Sequence, residues 1–136
     1  MLQKGILNPD FNELISRVRH TNTLVIADWA FPFWPALETI DLSLTKGIPL
    51  ITDVLDLLKE NFKVGKIWQA NEFLTTNPDD VITNYDHHFD GFKTLYPELK
   101  VERLPHHDFK KLVPNAIGLI RTGDPTAYGN VILESV

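Results

Sequence analysis

Apolar residues change their spacing along the chain, and each change marks an element. Asn8-Pro9 reads as an N-cap with proline at the first helical position, and Phe11, Leu14, Ile15 and Val18 follow at helical spacing to about Arg19. Thr23 to Ala27 is a short β-branched run, the pattern of a buried strand. Asp28 to Ala36 is an aromatic, proline-containing loop. Glu38 to Leu42 reads as a second strand and Gly47-Ile48-Pro49 as a turn. Ile51, Val54, Leu55 and Leu58 make one face of a second helix ending near Phe62. Val64 to Ala70 is a third strand. Asn77-Pro78-Asp79-Asp80 repeats the helix-start signal and opens a long helix to about Tyr96. Val101 to Leu104 is a strand and Pro105 to Leu112 a short helix. Ile117 to Arg121 and Val131 to Glu134 are the last two strands.

Strands alternating with helices predict an α/β fold, a three-layer sandwich in which helices flank a mainly parallel sheet of about six strands. The link between the last two strands is too short for a parallel crossover, so the sheet is expected to be mixed. No repeat or linker interrupts the 136 residues, and residues 1–136 read as a single domain.

Composition narrows the chemistry. A net charge of −5, a pI near 5.4 and scattered Lys and Arg argue against a nucleic-acid surface. The absence of cysteine excludes disulfides, thiolate nucleophiles and Cys-ligated metals. The first residues carry no signal-peptide core. Asp28, Pro32 and Pro35 break the longest apolar stretch well short of the roughly 20 residues a membrane helix needs. The expectation is a cytoplasmic protein with no membrane partner. Nucleotide-binding loops, nucleophile elbows and zinc-protease motifs are absent.

The candidate residues sit where strands end. His20 follows a predicted helix end, where the dipole favours a protonated imidazole. It is either a general acid or base or a residue satisfying the last carbonyls. Asp28 ends an apolar strand, and open α/β sheets bind ligands outside the carboxyl ends of strands; the other reading is a turn-capping carboxylate. Tyr128-Gly129-Asn130 offers hydrogen bonds suited to a polyol, or simply enters the last strand. His106 stands at a strand-to-helix junction. Trp29 leads a group of aromatics (Phe31, Phe33, Trp34) able to stack on a sugar face or to form a subunit contact. The doublets His87-His88 and His106-His107 raise a metal-dependent enzyme as a further reading.

The order of these segments resembles the D-ribose pyranase / L-fucose mutarotase family. The resemblance runs through Gly5-Ile6-Leu7-Asn8, His20-Thr21-Asn22, Val25-Ile26-Ala27-Asp28, Ile40-Asp41-Leu42-Ser43-Leu44 and Gly47-Ile48-Pro49. It continues through Pro105-His106-His107-Asp108-Phe109-Lys110, Ile120-Arg121-Thr122-Gly123-Asp124 and Tyr128-Gly129-Asn130-Val131-Ile132-Leu133. It implies a cofactor-free, metal-free isomerase that interconverts cyclic forms of a free monosaccharide. It further implies closed homo-oligomeric rings, stacked as decamers, with His20 as catalytic acid and Asp28, His106, Tyr128 and Asn130 lining the sugar. Trp29 stands where the family has a small residue, so it is expected to narrow or cap the pocket, and Asp124 stands where the family commonly has Glu. Tyr128-Gly129-Asn130 looks like the fucose branch and Ile40-Asp41-Leu42-Ser43-Leu44 like the ribose branch, leaving the sugar open. The alternative is a catalytically silent sugar-binding accessory of a transport or regulatory system.

Spacing adds one expectation. If Thr23 to Ala27 is extended, His20 and Asp28 lie up to about 26 Å apart, at roughly 3.3 Å per residue. No monosaccharide spans that, so the site is expected to be shared between subunits unless the turn at 20–22 folds back.

Overall fold

The computed structural model describes all 136 residues. Helices α1 (Pro9–Ser16), α2 (Ile51–Lys59), α3 (Glu72–Thr76), α4 (Asp79–Gly91) and α5 (His106–Leu112) alternate with strands β1 (Thr23–Ala27), β2 (Thr39–Asp41), β3 (Val64–Ala70), β4 (Lys100–Leu104), β5 (Gly118–Arg121) and β6 (Val131–Ser135). The strands form one sheet in the order β2-β5-β1-β6-β3-β4. β2, β5 and β1 run parallel, as do β3 and β4, while β6 is antiparallel to both its neighbours. The sheet is therefore mixed, as expected, but β5 and β6 are not adjacent. Residues 122–130 step across the end of β1, which places β6 beside it.

The two faces are covered unequally. On one, Phe11 and Leu14 of α1, Ile51, Val54, Leu55 and Leu58 of α2, and Tyr85 and Phe89 of α4 close over Leu24, Ile26, Ile67, Val131 and Leu133. On the other, Phe109 and Val113 at α5, with Phe31 and Leu37 from the loop after β1, cover Val25, Ala27, Leu119 and Ile132. β1 is buried on both faces, which is why it reads as a continuous apolar run. The edge strand β4 exposes Lys100, Val101 and Glu102, and charge there discourages pairing with another sheet. No helix is long and apolar enough to cross a membrane.

The differences from expectation have local causes. Asn8 caps α1 by accepting the Phe11 N–H at 2.9 Å, as the sequence predicts. α1 stops at Ser16 rather than near Arg19 because β6 captures the chain: the Thr21 N–H donates to the Ser135 carbonyl, the Ser135 hydroxyl to the Arg19 carbonyl, and the Asn22 side chain accepts the Arg19 N–H. The long helix expected from Asn77-Pro78-Asp79-Asp80 begins at Asp79 as α4 and ends at Gly91, followed by a 3-10 turn over Phe92–Thr94. Asn77 itself closes the preceding α3, with its side chain donating to the carbonyls of Phe73 and Ala127.

Gly118 opens β5 against α1. A Cβ there would fall 2.5 and 2.6 Å from the two terminal carbons of Leu14, a fully buried side chain. Gly118→Ala is expected to destabilise the fold by about 1–3 kcal/mol through overpacking, read from urea unfolding. Adding Leu14→Ala should make the second substitution cost less than Leu14→Ala costs alone, and simple additivity would contradict this packing.

Candidate functional site

The loops after β1 and β4 and the segment before β6 meet at the carboxyl edge of the parallel strands. There they enclose a cleft of about 260 Å³ lined by Asp28, Ala30, Phe31, Pro32, His106, Lys110, Ala127, Tyr128 and Asn130. Four of the residues singled out in the sequence, Asp28, His106, Tyr128 and Asn130, thus come together although about a hundred positions separate the first from the last.

Asp28 and Asn130 form a reciprocal pair. The Asn130 Oδ1 accepts the Asp28 backbone N–H at 2.7 Å, and its Nδ2 donates to Asp28 Oδ2 at 2.8 Å. Asp28 Oδ1 accepts the Ala30 N–H. Burial pushes the Asp28 carboxyl up from the ordinary carboxylate range and the nearby Asp124 charge adds to it, while the Asn130 and Ala30 donors pull the other way. A raised carboxyl is a stronger base than an exposed one, which suits proton transfer near neutral pH.

His106 follows Pro105 at the start of α5, where Glu72 of α3 accepts its backbone N–H at 2.9 and 3.1 Å through the two carboxylate oxygens. Its ring stacks on Phe109 and meets Tyr128 edge-to-face, with centroids 5.1 Å apart. Nδ1 is shielded without a protein partner. Burial lowers the imidazole's proton affinity and Lys110 lowers it further, against the pull of Glu72 and Asp28, so the ring is neutral at pH 7. Tyr128 has a left-handed backbone, φ 55°, a conformation costing a non-glycine residue about 1–3 kcal/mol and one that carries the phenol toward His106. Lys110 was missed from sequence. It stands four residues after His106 on the same helix face, and that spacing is the signal that identifies it.

Two candidates lie elsewhere. His20 is exposed and sits in a separate cleft of about 230 Å³ with Lys66, Tyr96, Glu98 and Lys100. β1 lies between it and Asp28. Hydrogen bonds tie residues 21 and 22 to Ser135 at the far end of β6, whereas Asp28 meets Asn130 at its near end. The turn does not fold back. Because α1 ends at Ser16, His20 also lies beyond the last helical turn. Trp29 is the first residue of the turn that follows β1, and it does not line the Asp28 cleft. It lines a groove with Ser43, Leu44, Thr45, Lys46 and Gly123, with the Lys46 ammonium 5.1 Å from its ring centroid. The pocket-capping role expected of Trp29 is not its position within one subunit. Of the other histidines, His88 bonds Asp56 at 2.8 Å, and no three His, Cys, Asp or Glu side chains cluster as metal ligands would.

The arrangement places a raised carboxylate, a neutral imidazole, an amine, a phenol and an amide around a space the size of a small polyol. Residues 1–136 match the RbsD / FucU transport protein family. A D-ribose pyranase of Geobacillus thermodenitrificans is 36% identical over 135 residues, covering 99% of this chain and 96% of the relative. A D-ribose pyranase of Bacillus licheniformis is 35% identical over 99% of this chain and 97% of the relative. The structure of Bacillus subtilis RbsD complexed with D-ribose superposes with a TM-score of 0.82 at 33% identity, covering 99% of this chain and 97% of that one. The fucose mutarotase of Streptococcus pneumoniae, in complex with L-fucose, shares the fold at a TM-score of 0.76 and 20% identity, over 98% and 97% of the two chains.

Because ionised Asp28 is disfavoured in the fold, stability is lost as pH rises from the ordinary carboxylate range through the folded-state value. Asp28→Asn removes the charge but leaves one side-chain oxygen, which can accept from Ala30 or from Asn130 and not from both. Its melting temperature relative to that of the wild type should therefore rise as pH is raised from about 4 to 7, on top of a constant offset from the lost hydrogen bond. A gap that does not change with pH would contradict this.

Proposed function

The chain belongs to the RbsD / FucU transport protein family, and from that premise we propose that it is a sugar isomerase interconverting the cyclic forms of a free monosaccharide. The observation that carries this reading is the convergence of Asp28, His106, Tyr128 and Asn130 on one polar cleft, in a chain 36% identical to a D-ribose pyranase along nearly its whole length. D-ribose is the first substrate to test, since the relatives named D-ribose pyranase are closer in sequence than the fucose mutarotase.

Ring opening takes a proton from the anomeric hydroxyl and delivers one to the ring oxygen. Reclosure reverses both transfers, through the same hydroxyl to invert the anomer or through another to change ring size. In our proposal Asp28, oriented by Asn130, accepts the anomeric proton. His106, Lys110 and Tyr128 bind the remaining hydroxyls. His20 of a neighbouring subunit donates to the ring oxygen, since its own subunit's His20 lies at the opposite end of β1. The assembly proposed is a closed homo-oligomeric ring, stacked as a decamer, in the cytoplasm. Exposed Trp29, Phe33, Leu44 and Ile48 offer apolar surface for subunit contacts.

Magnetisation-transfer NMR on D-ribose and a panel of free sugars tests the reading. Exchange between ring forms should exceed the buffer rate with the wild type and fall by about 10²–10⁴-fold in His20→Ala. Binding without exchange on any sugar would instead support a silent sugar-binding accessory.

A further inference from the structure

Behind the cleft, out of reach of any sugar, lies a carboxylate the mechanism does not use. Asp124 is 1% exposed. Its Oδ2 accepts the N–H of Ile51, the first residue of α2, at 2.9 Å and the phenol of Tyr85 at 3.2 Å. Its Oδ1 accepts the Thr126 N–H at 2.8 Å. Its backbone carbonyl accepts the N–H of Trp29, the residue after Asp28. All its partners are neutral donors. Replacing a buried charge's partners or its charge is felt by whatever else it touches electrostatically, and Asp28 is such a group.

We propose that Asp124 is a positioning residue of the sugar site: its carboxylate, clamped by Tyr85 and the start of α2, fixes the Thr126–Asn130 segment and supplies an unneutralised negative charge beneath Asp28.

A second observation supports the clamp. Gly129 stands between Tyr128 and Asn130, and a Cβ on it would lie 2.6 Å from the Tyr85 hydroxyl. The segment rests directly on the phenol that Asp124 holds. Tyr85 is itself 2% exposed and packed on Phe73 and Phe89, so the support is rigid. Left-handed Tyr128 persists because the structure around it is fixed in this way. Burial and the Asp124 charge together push the Tyr85 phenol far above its ordinary range, so it stays a donor at every working pH. The same charge raises Asp28. The other titratable groups facing Asp28 are Tyr85 from α4, His106 and Lys110 from α5, and Tyr128. The last three line the cleft and are left intact by a change at position 124.

The inference rests on the isomerase reading for its importance, but its test needs no sugar. Carboxyl-¹³C NMR follows the titration of Asp28, whose signal is the one missing from Asp28→Asn. In Asp124→Asn the Asp28 midpoint should fall by roughly half a unit or more, the Asn130 side-chain amide should shift, and the acid limb of sugar exchange should move to lower pH with the midpoint. A folded Asp124→Asn with an unmoved Asp28 midpoint overturns the proposal. If that variant does not fold, Tyr85→Phe decides: it keeps the charge and the Ile51 contact and removes the phenol's half of the clamp. The Asn130 amide should then shift while the Asp28 midpoint stays at or above the wild-type value, and an unmoved amide overturns the proposal. A wild type inert on every sugar would defeat the isomerase reading and leave the titration result standing.

Discussion

The reciprocal pair between Asp28 and Asn130 is the joint on which the cleft depends. A single amide satisfies both the backbone N–H and the carboxylate of Asp28, joining the end of β1 to the residue that precedes β6. Losing one partner of such a buried pair leaves the other unsatisfied, at a cost of about 1–3 kcal/mol. The pair forms only because β6 runs antiparallel to β1, with Ile26 opposite Val131, which sets residue 130 beside residue 28. The orientation of one strand therefore decides whether the site exists. The burial that raises the Asp28 carboxyl also makes its charge a local liability, the kind of conflict between stability and activity common at functional sites.

A second constraint follows from β1. Five residues of buried strand separate the His20 turn from Asp28, and the hydrogen bonds at 21–22 and at 28 anchor both ends to opposite ends of β6. One subunit carries an Asp28 cleft on one edge of the sheet and a His20 cleft on the other, and under the proposed function each is half of a reaction centre. Acid and base acting on the same sugar require the edge of one copy to face the opposite edge of the next. Oligomerisation, on this account, completes the reaction centre as well as covering apolar surface.

Much of this was legible in the sequence. β1 stands at its expected limits because it is a nearly continuous buried run bounded by polar turns, where local pattern and tertiary burial agree, and β3 keeps its limits although Gly65, Lys66 and Trp68 are only partly buried. The convergence of Asp28, His106, Tyr128 and Asn130 was accessible only through resemblance, since nothing local links positions so far apart. Short α3 carries one fully buried residue, Phe73, too little for a periodic signal. Asn77-Pro78 marked the start of α4 correctly, but Asn77 caps the end of α3 instead of the new helix, because its side chain's partners are Phe73 and the distant Ala127. Trp29 was assigned to the pocket through adjacency to Asp28, and the turn that begins there carries it to the groove beside Lys46 instead. Asp124 stood out in the sequence only as a departure from the family's common Glu, and its burial beneath the site is a tertiary fact.

The central claim is that the reaction centre is built from two copies of the chain. Co-folding His20→Ala with Asn130→Ala subunits, each inactive alone, tests it most directly. Mixed oligomers retain interfaces at which an intact His20 faces an intact Asp28–Asn130 pair, so the account predicts that ring-form exchange returns on mixing, to about a quarter of the wild-type rate if the two variants mix randomly and each centre works independently. Assembled mixed oligomers that remain as inactive as their parents would contradict it.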